Sequence, residues 1–179
     1  MIARQLKTRA RRTLLLIYFN PNDMAELIEM KVNGKQHRIE AEPDTPLLYL
    51  LRNNLQLNGP KYGCGIERCG SCMVLLNGKA QPSCVIPGSA AAVYEITTLD
   101  GLAKNGKPDP VQEAFIEEQA AQCGYCVNGM VMSAKALLAE NKNPSDQDIR
   151  QALNRVLCRC GTHTRMIKAV KKAAAKMNK

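Results

Sequence analysis

Four cysteines fall within the segment KYGCGIERCGSCMVLLNGKAQPSC, from Lys61 to Cys84, and their spacing constrains the chain more than any other feature. Cys64, Cys69 and Cys72 lie inside one nine-residue loop, and Cys84 follows after eleven intervening residues, beyond an Asn77–Gly78 turn. A loop that gathers three thiols must bend back on itself. Gly63, Gly65 and Gly70 are interleaved among them, where the backbone has to pass close or turn sharply. A second set follows as a C-x2-C pair, Cys123 and Cys126, and a C-x-C pair, Cys158 and Cys160. The two sets account for all eight cysteines.

Disulfides, zinc and iron–sulfur clusters are the three uses to weigh. A chain of 179 residues with its own apolar cores needs no covalent staples, and disulfides have no use for cysteines as close as Cys158 and Cys160. Zinc sites prefer two C-x2-C knuckles. The first set is instead C-x4-C-x2-C with a distant fourth thiol, which matches the plant-type [2Fe-2S] spacing. A cluster on four thiolates carries net negative charge, and the glycines let backbone N–H groups turn toward sulfur without side-chain bulk. Arg68 adds positive charge nearby. For the second set, spacing alone leaves zinc and iron–sulfur both open. Cys123 and Cys126 are expected at a helix start, where the dipole favours thiolate, and Cys158 and Cys160 at the end of another helix before Gly161.

Around the thiols the pattern divides in two. ELIEMKVNGKQHRIE alternates about Asn33–Gly34, a hairpin signal, and EPDTPLLYLLRNNLQLNG reads as a helix. Asp44 or Thr45 is its expected cap and Pro46 its first residue, with Leu47, Leu48, Leu51 and Leu55 on one stripe. A second hairpin turns at Asn77–Gly78, and AAVYEITTL reads as a closing strand. After the linker DGLAKNGKPDP the chain reads as four helices. One opens at Asp109–Pro110, one carries Val127 to Leu138, one has Ser145 and Asp148 in capping-box positions, and one runs from Thr164 with a basic face. The expected class is α+β. Its parts are a basic extension over residues 1–23, a cysteine-loop unit over 24–100 and a helical cysteine-bearing unit over 101–179. The methionines are expected as core filler. His163 is expected at the surface or a helix start, and His37 has no role.

The formal net charge of +9 belongs to the two ends. Five basic residues and no acid lie in residues 1–22, and six basic residues and no acid run from Arg165 to Lys179. Aromatic residues are 4%, so no basic–aromatic stripe exists to stack bases, and nucleic acid is not expected as a partner. The longest apolar run, Leu14 to Phe19, is too short for a transmembrane segment, and a soluble, cytoplasmic chain is expected, with the periplasmic side of a bacterial inner membrane as the alternative. ARRTLLL loosely resembles a twin-arginine leader, but no A-x-A-like site follows, and a short extension before Met24 is the favoured reading.

CGIERCGSC with its fourth cysteine, then QCGYC and CRCGTH, resembles the small iron–sulfur subunit of the xanthine dehydrogenase family of molybdenum hydroxylases, from about Leu27 to Ala175. CRCGT is closer to the isoquinoline, nicotinate and aldehyde dehydrogenase small subunits than to those with CRCTG, which turns the substrate away from xanthine. The resemblance implies an N-terminal β-grasp, plant-ferredoxin-like domain followed by a C-terminal four-helix bundle. It implies two [2Fe-2S] clusters, on Cys64, Cys69, Cys72 and Cys84 and on Cys123, Cys126, Cys158 and Cys160. It implies that Gln122 and Cys160 lie against the pterin of a molybdopterin cofactor in a large partner subunit. Electrons would then leave for a flavin subunit, for a cytochrome c subunit or for another acceptor. No catalytic residue is expected on this chain, because it shows no triad, phosphate loop or flavin motif. A stand-alone ferredoxin-like shuttle and a two-site zinc structural module are the alternatives.

Overall fold

The computed structural model describes residues 25–178. The basic extension expected over residues 1–23, the Met24 start and Lys179 lie outside the described residues.

Both Asn–Gly pairs form tight hairpins. β1 (Glu26–Val32) and β2 (Lys35–Ala41) pair antiparallel with Val32 opposite Lys35, and β3 (Met73–Leu76) and β4 (Lys79–Pro82) pair with Leu76 opposite Lys79. The central residues sit at positive φ, 52° and 78° at Asn33–Gly34 and 47° and 83° at Asn77–Gly78. That twist matches the strands, and asparagine and glycine tolerate it best. β5 (Glu95–Thr97) joins the hairpins, parallel to β1 and antiparallel to β3, giving one mixed sheet of order β2-β1-β5-β3-β4.

Two expectations in this region need correction. The helix after Pro46 starts without a side-chain cap from Asp44 or Thr45. Pro46 is itself the cap, and α1 (Leu47–Tyr49) widens into a π turn over Leu50–Asn54. Burial supplies what capping does not, since Leu47, Leu48 and Leu51 are fully buried. The stretch AAVYEITTL is not all strand. Its start completes a short helix, α2 (Gly88–Ala91), and only Glu95–Thr97 pairs.

β3 explains how the sheet meets the helices. Its four residues are all buried, and successive side chains point to opposite faces. Val74 and Leu76 join a core with Ile28, Met30, Leu47 and Ile96. Met73 and Leu75 join a second core with Phe115, Met130, Leu138, Ile149 and Val170. The strand is therefore apolar throughout because both of its faces are covered.

The helices are α3 (Pro110–Glu117), α4 (Val127–Glu140), α5 (Asp146–Leu153) and α6 (His163–Met177). The expected capping box of α5 is present, with Asp148 N–H on the Ser145 hydroxyl and Ser145 N–H on the Asp148 carboxylate. Asp109 caps α3 in the same way, with Gln112 as its partner. Three lysines on the basic face of α6 are matched within the fold. Lys172 pairs with Glu117 and Glu118, Lys176 with Glu113 and Glu117, and Lys171 with Asp146. Among the described residues no helix is long and apolar enough to cross a membrane.

Candidate metal centres

The loop between α1 and β3 carries the first three thiols. Gly65 and Gly70 take φ of 71° and 68°, and Glu67 takes 52° between them, so the backbone reverses within a few residues. These reversals aim N–H groups inward. Ile66, Arg68 and Cys69 donate to Cys64 Sγ at 3.4, 3.2 and 3.3 Å, and Cys64 N–H donates to Cys69 Sγ at 3.3 Å. Burial opposes ionisation of Cys64 most strongly, yet the N–H donors of Ile66, Cys69 and Arg68 together bring its thiol down to about 7. A Cβ on Gly63 would lie 2.6 Å from Cys69 Sγ, so only glycine lets this turn pass the sulfur.

Cys72 and Cys84 meet beneath that loop. Cys72 opens the approach to β3, Cys84 follows β4, and the Ser83 hydroxyl donates to Cys72 O at 2.7 Å. Both are buried, packed with Leu48. Burial, and then the contact with Cys84, pushes Cys72 up to about 12.

The second set lies between helices. Cys126 is the N-cap residue of α4, whereas Cys123 stands three residues ahead in the loop. Cys158 and Cys160 do not lie at the end of α5, which stops at Leu153; they occupy the connection to α6. Burial and the Cys158 contact push Cys126 up to about 12. Cys158 falls to about 7. Burial resists that shift, and the Thr162 hydroxyl, 3.6 Å from its sulfur, leads the groups that outweigh it. Cys123 is exposed and lowered, first by the Tyr125 N–H and then by its contact with Cys160.

The eight thiols are thus organised two by two: Cys64 with Cys69, Cys72 with Cys84, Cys126 with Cys158, and Cys123 with Cys160. Among the described residues no three Cys, His, Asp or Glu side chains converge on one point, as a single tetrahedral ion requires. Paired donors suit a diiron cluster, in which each iron takes two thiolates, so the donor set fits [2Fe-2S] groups.

Gln122 is exposed beside Cys123, and Cys160 is half-buried. Cys123, the neighbour of Gln122 in sequence, contacts Cys160. The side chain of Arg68 reaches further than its sequence position indicates. It lines a cleft of about 380 Å³ with Arg150, Leu157, Cys158 and His163, so the residue borders the second set while its N–H serves the first. His163 is the first residue of α6, as expected.

Sequence reasoning missed the ties between the two sets. Leu157 N–H donates to Cys69 O at 3.0 Å, the Tyr125 hydroxyl donates to Tyr62 O, and the Asn128 amide donates to Ser71 O and Met73 O. Gly70 and Gly129 meet backbone to backbone, and a Cβ on Gly129 would overlap the Gly70 carbonyl. These contacts join residues 55 or more positions apart, so no local pattern announces them. Thr162 was more accessible, as the only hydroxyl two residues after the last cysteine.

Two family models match the chain: "2Fe-2S iron-sulfur cluster binding domain" over residues 30–95 and "[2Fe-2S] binding domain" over residues 98–171. The corresponding subunit of nicotinate dehydrogenase from Pseudomonas putida is 57% identical over 151 residues, covering 84% of this chain and 96% of the relative. The alpha subunit of isoquinoline 1-oxidoreductase from Brevundimonas diminuta is 44% identical, covering 83% and 97%. Among solved structures, quinoline 2-oxidoreductase from Pseudomonas putida 86 superposes with a TM-score of 0.83 at 33% identity, covering 87% of this chain and 97% of that one. The aldehyde oxidoreductase from Desulfovibrio desulfuricans superposes with a TM-score of 0.81 at 40% identity; that match covers 86% of this chain and 17% of the longer one.

Proposed function

The chain belongs to the small [2Fe-2S] subunits of the xanthine dehydrogenase family of molybdenum hydroxylases, and from that premise we propose how its residues divide the work. It is the electron-transfer subunit of a multi-subunit oxidoreductase, and substrate is oxidised on another chain. When bound, a [2Fe-2S] cluster stores and returns one electron, and two in series relay electrons from a molybdopterin centre in a large subunit to a downstream acceptor.

Cys64, Cys69, Cys72 and Cys84 hold the first cluster, and Cys123, Cys126, Cys158 and Cys160 hold the second. The gathering of Cys64 and Cys69 by shared N–H donors, and the packing of Cys72 with Cys84 close behind them in the chain, support this assignment. The N–H groups of Ile66, Arg68 and Cys69 offset thiolate charge in the first set, and the Thr162 hydroxyl does so in the second. Gln122 and Cys160 form the contact with the pterin of the large subunit. A cluster held by Cys64, Cys69, Cys72 and Cys84 would supply the outgoing electron to a flavin subunit, a cytochrome c subunit or another acceptor. The described residues up to 100 form a β-grasp, ferredoxin-like domain, and those from 101 a four-helix bundle. The naming of the relatives for nicotinate, isoquinoline and quinoline favours an N-heteroaromatic substrate over an aldehyde. The assembly works in the cytoplasm.

Protein purified without air is expected to hold ~4 iron atoms and ~4 acid-labile sulfides per chain, with two distinct paramagnetic signals after dithionite. Zinc in place of iron, or a chain still colourless after reconstitution, would overturn the assignment. Failure of any large molybdenum subunit to co-purify at native expression would instead favour a stand-alone shuttle.

A further inference from the structure

Asn128 stands two residues after Cys126, in the first turn of α4, and is 1% exposed. Its Nδ2 donates to Ser71 O and to Met73 O, each at 2.9 Å. Those carbonyls flank Cys72, the most buried thiol of the first set. One side chain therefore fastens the helix that begins at one ligand set to the peptide units on either side of a ligand in the other. The opposite end of the same amide is unsatisfied, since Asn128 Oδ1 is a buried side-chain atom with no hydrogen-bond partner among the described residues. A buried carbonyl left unpaired is costly, and native proteins retain such atoms mainly where a site needs them. Among the described residues, this is the one tie between the two ligand loops made by a buried side chain. The Leu157–Cys69 bond is backbone, and the Tyr125 hydroxyl is exposed.

The geometry points to Asn128 as a positioning residue that couples the two clusters, holding the dipoles around Cys72 in place and fixing the first ligand loop against the start of α4. The inference rests on the assignment of the eight cysteines as cluster ligands. Reduction adds negative charge to a cluster, and in a poorly solvated interior nearby dipoles act strongly on that charge. With the amide in place, the Ser71 and Met73 carbonyl oxygens are engaged by positive N–H ends. Without it, their negative ends are uncompensated beside Cys72, and reduction of the first cluster becomes less favourable. The same loss frees the ligand loop to shift relative to Cys126, lengthening the path between clusters.

The test uses the assembled holoenzyme carrying Asn128→Leu or, as a smaller change, Asn128→Ser. Iron content and the two paramagnetic signals are measured first, then the midpoint potential of each signal and the rate of electron exchange between clusters. The first-cluster signal is expected to change line shape. Its reduction equilibrium constant should fall by about tenfold in Asn128→Leu, with a smaller fall in Asn128→Ser and slower exchange in both. The second-cluster potential should move less. Fully loaded variants with unchanged potentials and exchange rates would overturn the inference. So would loss of both clusters from both variants in a folded, assembled enzyme, because Asn128 would then be scaffold only. Absence of iron from the unsubstituted chain would instead sink the ligand assignment itself.

Discussion

In the first thiol set, Cys64 is surrounded by the N–H groups of its own loop, which bends through left-handed residues at Gly65, Glu67 and Gly70. In the second set, Cys126 caps a helix, Cys158 leans on the Thr162 hydroxyl, and left-handed backbone is confined to Gly124 and Gly161. Each set combines a better-buried region with one nearer solvent. Cys72, Cys84 and Cys126 are buried, while Cys123 is exposed. Charge on sulfur can thus be offset by backbone alone, provided the loop is rich enough in glycine. It can also be offset by helix ends and a hydroxyl, with fewer conformational demands on the chain.

Removing a ligand separates the two sets most sharply. Cys126→Ser is expected to abolish the second paramagnetic signal and leave the first, and Cys72→Ser to do the reverse. If either substitution removed both signals, the sets would not be independent. A wedge at their contact should follow in size. In Gly70→Ala the new methyl lies 2.5 Å from Arg155 O, and the residue must hold φ at 68°. A loss of roughly 3 kcal/mol is expected in denaturant unfolding, from backbone overlap and left-handed strain together. The same change at Gly106, with φ of 73° but open space around it, should cost only the strain, about 1 kcal/mol.

Smaller effects test the hydroxyl and the helix that leads to it. Thr162→Val keeps the shape of a buried residue and removes its hydrogen-bonding atom from Cys158. The second-cluster reduction constant should fall about fivefold while the first stays put. Ser145→Ala removes the cap of α5, which precedes Cys158, at about 1 kcal/mol near neutral pH. This effect has a defined pH dependence. The Ser145 N–H and hydroxyl hold the Asp148 carboxyl below its ordinary 3.8, so the contribution is complete above that value and disappears as pH falls through the lower folded value. The gap in thermal unfolding between the two proteins should therefore narrow in strong acid without closing, because the bond from Asp148 N–H to the Ser145 hydroxyl does not titrate. A constant gap would show that the carboxylate is not involved.

Local chemistry made much of this fold legible. Asn33–Gly34 and Asn77–Gly78 announce hairpins because few residues accept their backbone angles, and Ser145–Asp148 announces a helix start because both partners lie within one turn. The cysteine spacing likewise divides the thiols into two sets of four that can be read from the sequence. Three features were not legible. Pro46 starts its helix with no side-chain cap, and burial of Leu47, Leu48 and Leu51 sustains it. The lysines of α6 find acids on α3 and at the start of α5, which makes a basic stripe look unpartnered in one dimension. Asn128, an ordinary polar residue in a helix pattern, acquires its role only from carbonyls more than 50 positions earlier.

The meeting of Gly70 and Gly129 also bears on how the two sets pack together. In the closed chain Cys72 and Cys126 are buried, while each set keeps partners nearer solvent, with Cys123 exposed. A Cβ at either glycine would drive these surfaces apart, so the absence of two side chains is what lets the buried thiols of both sets share one interior.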